Sequence, residues 1–486
     1  MAEHFDVLIV GAGISGVGAG YHLQTQCPDK SFVILEGLDS FGGTWWMHRY
    51  PGVRSDSDLY TFGYRFKPWT GTPIATADEI LKYMDEVIEE NNLNDHIRYN
   101  HWIDSSSWSS EDKKWTIKGT NKVTGEPIEF TCNFLWMCQG YYKHAEGYTP
   151  EWEGMDDYKG RIVHPQTWPE DLDYKGKKVL CIGSGATTAT VVPAIAGDCE
   201  HVTVLQRSPT YFIPGVNANE TADLLRKLDI KEEWIHEIVR KEILFNQDEF
   251  TRRAVEEPEV VREELLTMVK ALLPEGYDMK HFTPTYRPWQ QRIAFVPDGD
   301  IFKGISAGKA DMVTDEIDRF TEKGVLTKSG QELEADIVLT ATGFNLCVLG
   351  DIDFSVDGKH IDFADTITYR GMMFTDVPNM AWVFGYFRAS WTLRVDLVSD
   401  FVCRLLNHMD EKGVKSVVPE LGQGEHNMPK LDWIDEDNFN PNYLKRSMHL
   451  MPKCGDKPEW RHSQDYWREK EEIPEIDLDG EEFKYA

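Results

Sequence analysis

Short continuous apolar runs alternate along the chain with stretches of helical length, the pattern of parallel strands joined by helices. Asp6 to Val10 (DVLIV) is the first run, a helix is predicted through about Gln24, and Ser31 to Leu35 is the next run. The unit recurs with Lys178 to Ile182 (KVLCI) and His201 to Leu205 (HVTVL). Between Ile97 and Phe134 the period changes to alternation with turn signals (WTIKGTNKVTGEPIEFTCNF), which predicts a β-meander. About 212–290 is charged and helical in pattern, a predicted insertion that caps a site. Asp336 to Phe344 (DIVLTATGF) predicts a strand leaving one domain for another. Met137 to Gly140 (MCQG), with Gln139 in place of a small residue, is its partner crossing.

The loops after the two leading strands carry the chemistry. Gly11, Gly13 and Gly16 stand in GAGISG. The first permits a tight turn, the second close approach of a pyrophosphate, and the third close packing of helix on sheet. The helix N-terminus offers unpaired N–H groups to phosphate. Glu36, at the tip of the second strand, suits ribose hydroxyls and repels a 2′-phosphate, so this site is expected to hold FAD or NAD. Gly43, Thr44 and Trp45 of GGTW come next, a segment that flavoproteins of this general type bring against the pyrophosphate and the flavin ring, which favours FAD. The Pro-Gly turn RYPGVRSDSD (49–58), with two arginines and two aspartates, is unusual for a solvated turn.

The second fingerprint is GSGATT, with Gly183 and Gly185 in the first two glycine roles and Thr188 in the third, where looser helix–strand packing is expected. Ser184, Ala186 and Thr187 complete the loop. The next strand ends in Gln206, Arg207 and Ser208, with no acid at its tip. A guanidinium fork suits a 2′-phosphate, so the second site is read as one for NADPH. The fold class is therefore α/β with two Rossmann-like dinucleotide-binding domains and a helical insertion. The FAD domain is expected to be discontinuous, 1–150 and 341–486, with the NADP domain, 151–340, inserted between.

Composition narrows the partners. The formal charge of −31 over 486 residues repels nucleic acid and anionic membranes. No apolar run reaches membrane-spanning length, and the N-terminus enters a strand with no leader pattern. The eight cysteines are scattered and form no CxxC pair, which fits the cytoplasm and argues against a disulfide framework or a metal site.

Between the fingerprints stands YKGRIVHPQTWP (158–169), which resembles the signature of the type I Baeyer–Villiger monooxygenases. Gly160, His164, Trp168 and Pro169 match, and Tyr158 replaces a Phe. With GGTW, RYPGVRSDSD, GSGAT, LQRSPTY, the PWQQR segment and ASWTLRVDLVSDFVCRLLN, the chain to about Asn407 is similar to the ethionamide-activating branch of these flavin monooxygenases. The resemblance implies that NADPH reduces FAD, that reduced flavin and O2 form a C4a-peroxyflavin, and that this inserts oxygen beside a ketone carbonyl or oxygenates a thioether. It maps the catalytic arginine onto Arg292 and its acidic partner onto Asp56. It counts Ser15, Trp46, Met47, Ile103 and Asp56 with the FAD site, and Arg54, Ser55 and Asp56 with the NADP site. Gln291 departs from the family, where Lys often precedes the arginine and helps to hold the 2′-phosphate. His164 is expected to shape the linker and not to shuttle protons.

Three alternatives stay open on sequence. A heteroatom-oxidising flavin monooxygenase would share fold and cofactors. A disulfide reductase needs a redox cysteine pair that the spacing does not provide. A non-catalytic flavin-binding sensor would retain FAD without oxygen chemistry, against which stand Arg292 and Asp56. Substrate and oligomeric state are not legible.

Overall fold

The computed structural model describes residues 2–486. β1 (Glu3–Val10) is fully buried from Val7 to Val10, as a continuous apolar run requires in a sheet covered on both faces. It leads into α1 (Ile14–Gln26), and β2 (Phe32–Leu35) returns parallel to it. α2 (Ala77–Glu90) starts at a capping box in which Thr76 and Glu79 exchange side-chain and backbone bonds. β3 (Ile97–Arg98) then pairs parallel with β2. The predicted meander consists of β4 (His101–Ser109), β5 (Lys114–Asn121) and β6 (Pro127–Met137), paired antiparallel. It is continuous with the main sheet, because β6 runs parallel to β1 on the side opposite β2.

β7 (Tyr142–Gly147) leads out of this sheet, and a second sheet follows: β8 (Arg161–Val163), β9 (Lys178–Ile182), α3 (Ala186–Ile195) and β10 (His201–Gln206). β11 (Phe212–Gly215) opens the insertion, whose helices are α4 (Glu220–Lys227), α5 (Glu232–Glu256) and α6 (Pro258–Lys270). β12 (Ala294–Pro297) closes it by pairing parallel with β11. β13 (Ala310–Thr314) and β14 (Ile337–Thr340) complete an all-parallel sheet in the order β13-β10-β9-β14-β8.

The chain returns through β15 (Phe344–Leu346), which lies antiparallel to β7, so the two crossings between sheets run side by side. β16 (Asp353–Val356) then extends the first sheet beside β4, and β17 (Met380–Trp382) pairs with β6. The first sheet is thus built from both ends of the chain. α7 (Trp391–Lys412) packs along α1 and buries one long face, including Arg394. No helix among the described residues is long and apolar enough to cross a membrane.

The acidic C-terminal segment is more than a solvated tail. Phe483–Tyr485 pairs antiparallel with Val417–Pro419. Glu469 is buried and holds the fully buried Arg394 at 2.8 Å, while the Tyr386 hydroxyl donates to the same carboxylate at 2.7 Å. Sequence reading found nothing there because its apolar contacts are spaced irregularly among the charges.

Candidate functional site

The first glycine loop is shaped as its spacing predicts. Gly11 sits at φ +98°, where a side chain would be strained, and a Cβ there would lie 2.9 Å from the Cys138 carbonyl oxygen. At Gly16 a Cβ would meet the Gly11 carbonyl oxygen at 1.8 Å, so only glycine lets α1 close on β1. Gly13 faces Gly43 across the loops: a Cβ on Gly43 would lie 3.2 Å from the Gly13 Cα. The Gly42 N–H donates to the Ala12 carbonyl at 3.0 Å and fixes the two loops together. α1 begins at Gly13 with no side-chain cap, so its opening N–H groups are left for a ligand. Glu36 is buried, and its two carboxylate oxygens accept from the Ala12 and Leu38 N–H groups at 2.7 and 2.8 Å. Each oxygen keeps a further lone pair for a ribose hydroxyl. Burial raises the pKa of Glu36, and the backbone donors oppose that rise. This cradle fits the adenosine and pyrophosphate portions of FAD.

Around it, Thr44 is exposed, Trp45 packs edge-on against Phe62, and the Trp46 indole N–H donates to Asp39 at 2.8 Å beneath the Arg49 guanidinium. Met47 is half-buried in the same short turn of helix. Ser15 accepts the Trp391 indole N–H at 2.8 Å, and Trp391 stacks on Tyr141. The Ile103 side chain is buried in the hydrophobic core, so only its backbone is offered to a ligand.

The second glycine loop is more open. Gly183 sits at φ +129°, and a Cβ there would lie 2.2 Å from the Ala341 carbonyl oxygen. A Cβ on Gly185 would meet nothing, and Gly185 and Ala186 are exposed at the uncapped start of α3. The Ser184 hydroxyl bonds the Ser208 carbonyl and the Thr210 hydroxyl, each at 3.0 Å. Arg207 and Ser208 are exposed at the end of β10, and Arg207 enters no ion pair among the described residues. These features fit a pyrophosphate at α3 and a 2′-phosphate beside β10. Thr187 is half-buried near Tyr50. Thr188, in the third glycine role, is 1% exposed, with its hydroxyl 3.6 Å from the Cys181 thiol, and fills the space between α3 and β9.

The turn at 49–58 joins the two halves. Gly52, at φ +77°, approaches α3 so closely that a Cβ would lie 2.6 Å from Ala194 Cβ, and Tyr50 is buried in the core of the second domain. Arg54, which the resemblance assigns to the NADP site, lies against α3. Its guanidinium grips Asp300 at 2.6 Å and donates to the Ala189 carbonyl at 3.1 Å. Ser55 is buried; its N–H donates to the Ala75 carbonyl and its hydroxyl accepts from the Ala75 N–H, which leaves it a backbone brace. Asp56, the next residue, turns the other way and pairs with Arg292, and each side chain stays about one-third exposed (35% and 36%).

Arg292 sits just before β12, and Asp56 raises its pKa well above the ordinary value, so the guanidinium is a fixed cation. Three tyrosines that sequence reading missed surround it: Tyr141, Tyr142 and Tyr443. The Tyr141 and Tyr142 hydroxyls are 2.9 Å apart. Tyr141 and Tyr142 directly follow the MCQG crossing, and that adjacency is the signal that could have found them. Tyr443 carried none. Its segment is fixed by the Asn440 N–H donating to the Gln290 carbonyl at 2.9 Å and by Gln291, whose amide reaches the Asn440 side chain at 3.5 Å.

The linker motif acts through packing. The His164 Nε2–H donates to the Gly343 carbonyl at 3.0 Å, and Nδ1 accepts the Gln166 N–H at 3.1 Å. That pattern is the neutral imidazole, and burial lowers the pKa further. Gly147 lies against the ring, where a Cβ would be 2.0 Å away. Gly160 admits the Asp336 carbonyl, and Trp168 packs edge-on against Tyr174 next to Pro169.

Two uncapped helix starts behind glycine loops, one with an acid and one with an arginine at the ribose position, define a two-dinucleotide oxidoreductase. A flavin-binding monooxygenase-like family model matches residues 73–228, and an NAD(P)-binding Rossmann-like model matches residues 9–70. The chain is 47% identical to the FAD-containing monooxygenase EthA of Mycolicibacterium smegmatis, over 96% of this chain and 94% of that protein. It is 41% identical to the FAD-containing monooxygenase MymA of Mycobacterium tuberculosis, itself named as putative, over 100% and 98%. Among solved structures, cyclohexanone monooxygenase from Rhodococcus sp. Phi1 superposes with a TM-score of 0.78 at 19% identity, covering 100% of both chains. The chain belongs to the FAD-containing monooxygenase family that includes EthA.

Proposed function

We propose that this monooxygenase uses NADPH and O2 to insert one oxygen atom beside a ketone carbonyl, giving an ester or lactone, and that it also oxidises thioethers. One observation carries the reading: Arg292 is a permanently charged guanidinium, held by Asp56 on the turn that locks the first domain onto α3. The name of the superposed cyclohexanone monooxygenase supports a carbonyl substrate. Eight unpaired, buried cysteines suit a cytoplasmic enzyme and leave no exposed thiol for disulfide chemistry.

When bound, FAD supplies the redox and oxygen-activating chemistry. The chain's own residues do the rest. The glycine loop and the start of α1 bind the pyrophosphate, and Glu36 orients the ribose. The start of α3 and Arg207 hold NADPH and distinguish it from NADH through the 2′-phosphate. Asp56 orients Arg292, whose charge stabilises negative charge developing on oxygen during attack. Tyr141, buried, and Tyr142, half-buried, wall the site and limit the access of water. Burial keeps both hydroxyls protonated.

The test is NADPH consumption with product identification across linear ketones, cyclic ketones and thioethers. Ester or lactone from a ketone is the expected result. Sulfoxide with no ester from any ketone would sink the carbonyl reading and leave a heteroatom monooxygenase.

A further inference from the structure

The Tyr443 hydroxyl is shielded from solvent and lies close to the Tyr141 hydroxyl and the Arg292 guanidinium, but makes a well-formed hydrogen bond to neither. A buried donor left unpaired costs free energy, so a native fold keeps one where a partner arrives later. Its surroundings say what that partner is. The Tyr141 and Tyr142 hydroxyls already bond each other. Arg292 faces all three tyrosines and uses one N–H on Asp56, its one hydrogen bond among the described residues. A free O–H and several free N–H groups therefore lie at one place. Burial and neighbouring hydroxyls keep the phenol protonated, a donor and not a base. With a guanidinium at its centre such a set repels a cation and best takes an oxygen with a lone pair and partial negative charge.

The arrangement is rigid. Asn440, three residues before Tyr443, bonds Gln290, two residues before Arg292. Arg287 and Arg388 both grip Asn438, at 2.9 and 3.0 Å from its side-chain oxygen. Arg446, on the same helical turn as Tyr443, lies over the Tyr148 ring at 3.5 Å. Tyr443 and Arg292 are thus held in a fixed relation by segments about 150 residues apart in sequence.

Resting on the function proposed above, we propose that Tyr443 is a further substrate-binding residue: beside Arg292, its hydroxyl donates a hydrogen bond to the carbonyl oxygen of the ketone. As attack makes that oxygen more negative, the bond strengthens, so Tyr443 contributes to binding and more to turnover.

The test uses the FAD-loaded enzyme and Tyr443→Phe, which removes only a hydroxyl that makes no well-formed hydrogen bond in the protein. Cyclohexanone and NADP⁺ are titrated separately into the oxidised protein, and oxygenated product is counted against NADPH consumed. Cyclohexanone Kd is expected to rise about tenfold, with NADP⁺ affinity unchanged. Product per NADPH should fall, with hydrogen peroxide making up the difference. The thermal midpoint should stay level or rise, since no well-formed bond is lost. Wild-type ketone affinity and coupling in the variant would overturn the proposal. So would a selective loss of NADP⁺ affinity, which would assign the hydroxyl to the cofactor. Because ketone binding is read without turnover, a wild-type enzyme that makes no ester but binds ketone through Tyr443 defeats the proposed reaction and leaves this inference standing. A wild-type enzyme that binds no ketone defeats both.

Discussion

Arg54 and Asp300 form a bracket between the two dinucleotide domains: the guanidinium on the 49–58 turn meets the carboxylate at the start of the Asp300–Ser306 helix at 2.6 Å. The pair is largely shielded, with side chains 16% and 26% exposed. Breaking one partner of a shielded pair leaves the other uncompensated. Arg54→Ala is expected to lower stability by about 1–3 kcal/mol. A double-mutant cycle with Asp300→Asn, read from urea midpoints, should show coupling above about 0.5 kcal/mol. Additive effects would mean that the bracket does not hold the domains.

Arg292→Ala removes the fixed cation but leaves both cradles intact. Flavin reduction by NADPH should continue, while oxygenated product falls by about 10²–10³-fold, the size typical for losing one preorganised electrostatic donor. Asp56→Asn should lower product less, because Arg292 keeps its charge and loses only its anchor. Anaerobic stopped-flow reduction and aerobic product analysis separate the two steps. Ester formation at the wild-type rate in Arg292→Ala would remove Arg292 from the mechanism.

Arg207 is exposed at the tip of β10 with no carboxylate paired to it among the described residues, so it is free to meet a phosphate. Arg207→Ala should raise KM for NADPH about 10–100-fold and leave KM for NADH within about twofold, the loss of one charge-assisted contact. Gln291→Lys should tighten NADPH. It would also break the Gln291 contact with Asn440, so its effect on kcat reports how far that loop matters. Equal changes for both nucleotides would place the 2′-phosphate elsewhere.

The two cradles were legible in the sequence because each depends on local geometry. Gly16 answers a contact within its own βαβ unit, Gly11 and Gly183 hold positive-φ turns at the ends of their strands, and Glu36 and Arg207 stand at strand tips whose position follows from strand length. Arg54, Ser55 and Thr188 make protein contacts that their motifs do not announce. Sequence proximity to a motif says nothing about which way a side chain turns, and in one turn Arg54 faces Asp300 while Asp56 faces Arg292. Tyr443 was invisible because its partner surface is assembled from three remote segments in an irregular region with no periodicity to read.

Two buried histidines make stability depend on acid. Burial lowers His462 and His236 from 6.5 to about 4. His462 donates through Nε2 to the Trp433 carbonyl at 2.7 Å and lies against the Trp433 ring. The unfolded chain takes up protons near pH 6.5, but the folded chain does so only near 4. Stability should therefore be full above about pH 6.5 and fall as pH drops towards 4, by about 3 kcal/mol for each histidine. Asp58 acts the other way. Burial raises it to about 6, so the folded state takes up a proton first, and acidification below 6 adds stability until the unfolded carboxyl titrates near 3.8. The two histidines outweigh the one aspartate, and the net slope should be positive with pH between about 4.5 and 6.5. Urea midpoints across that range check the sign, and His462→Asn should flatten the curve. A midpoint that rises on acidification would show that the buried carboxyls, and not the histidines, dominate.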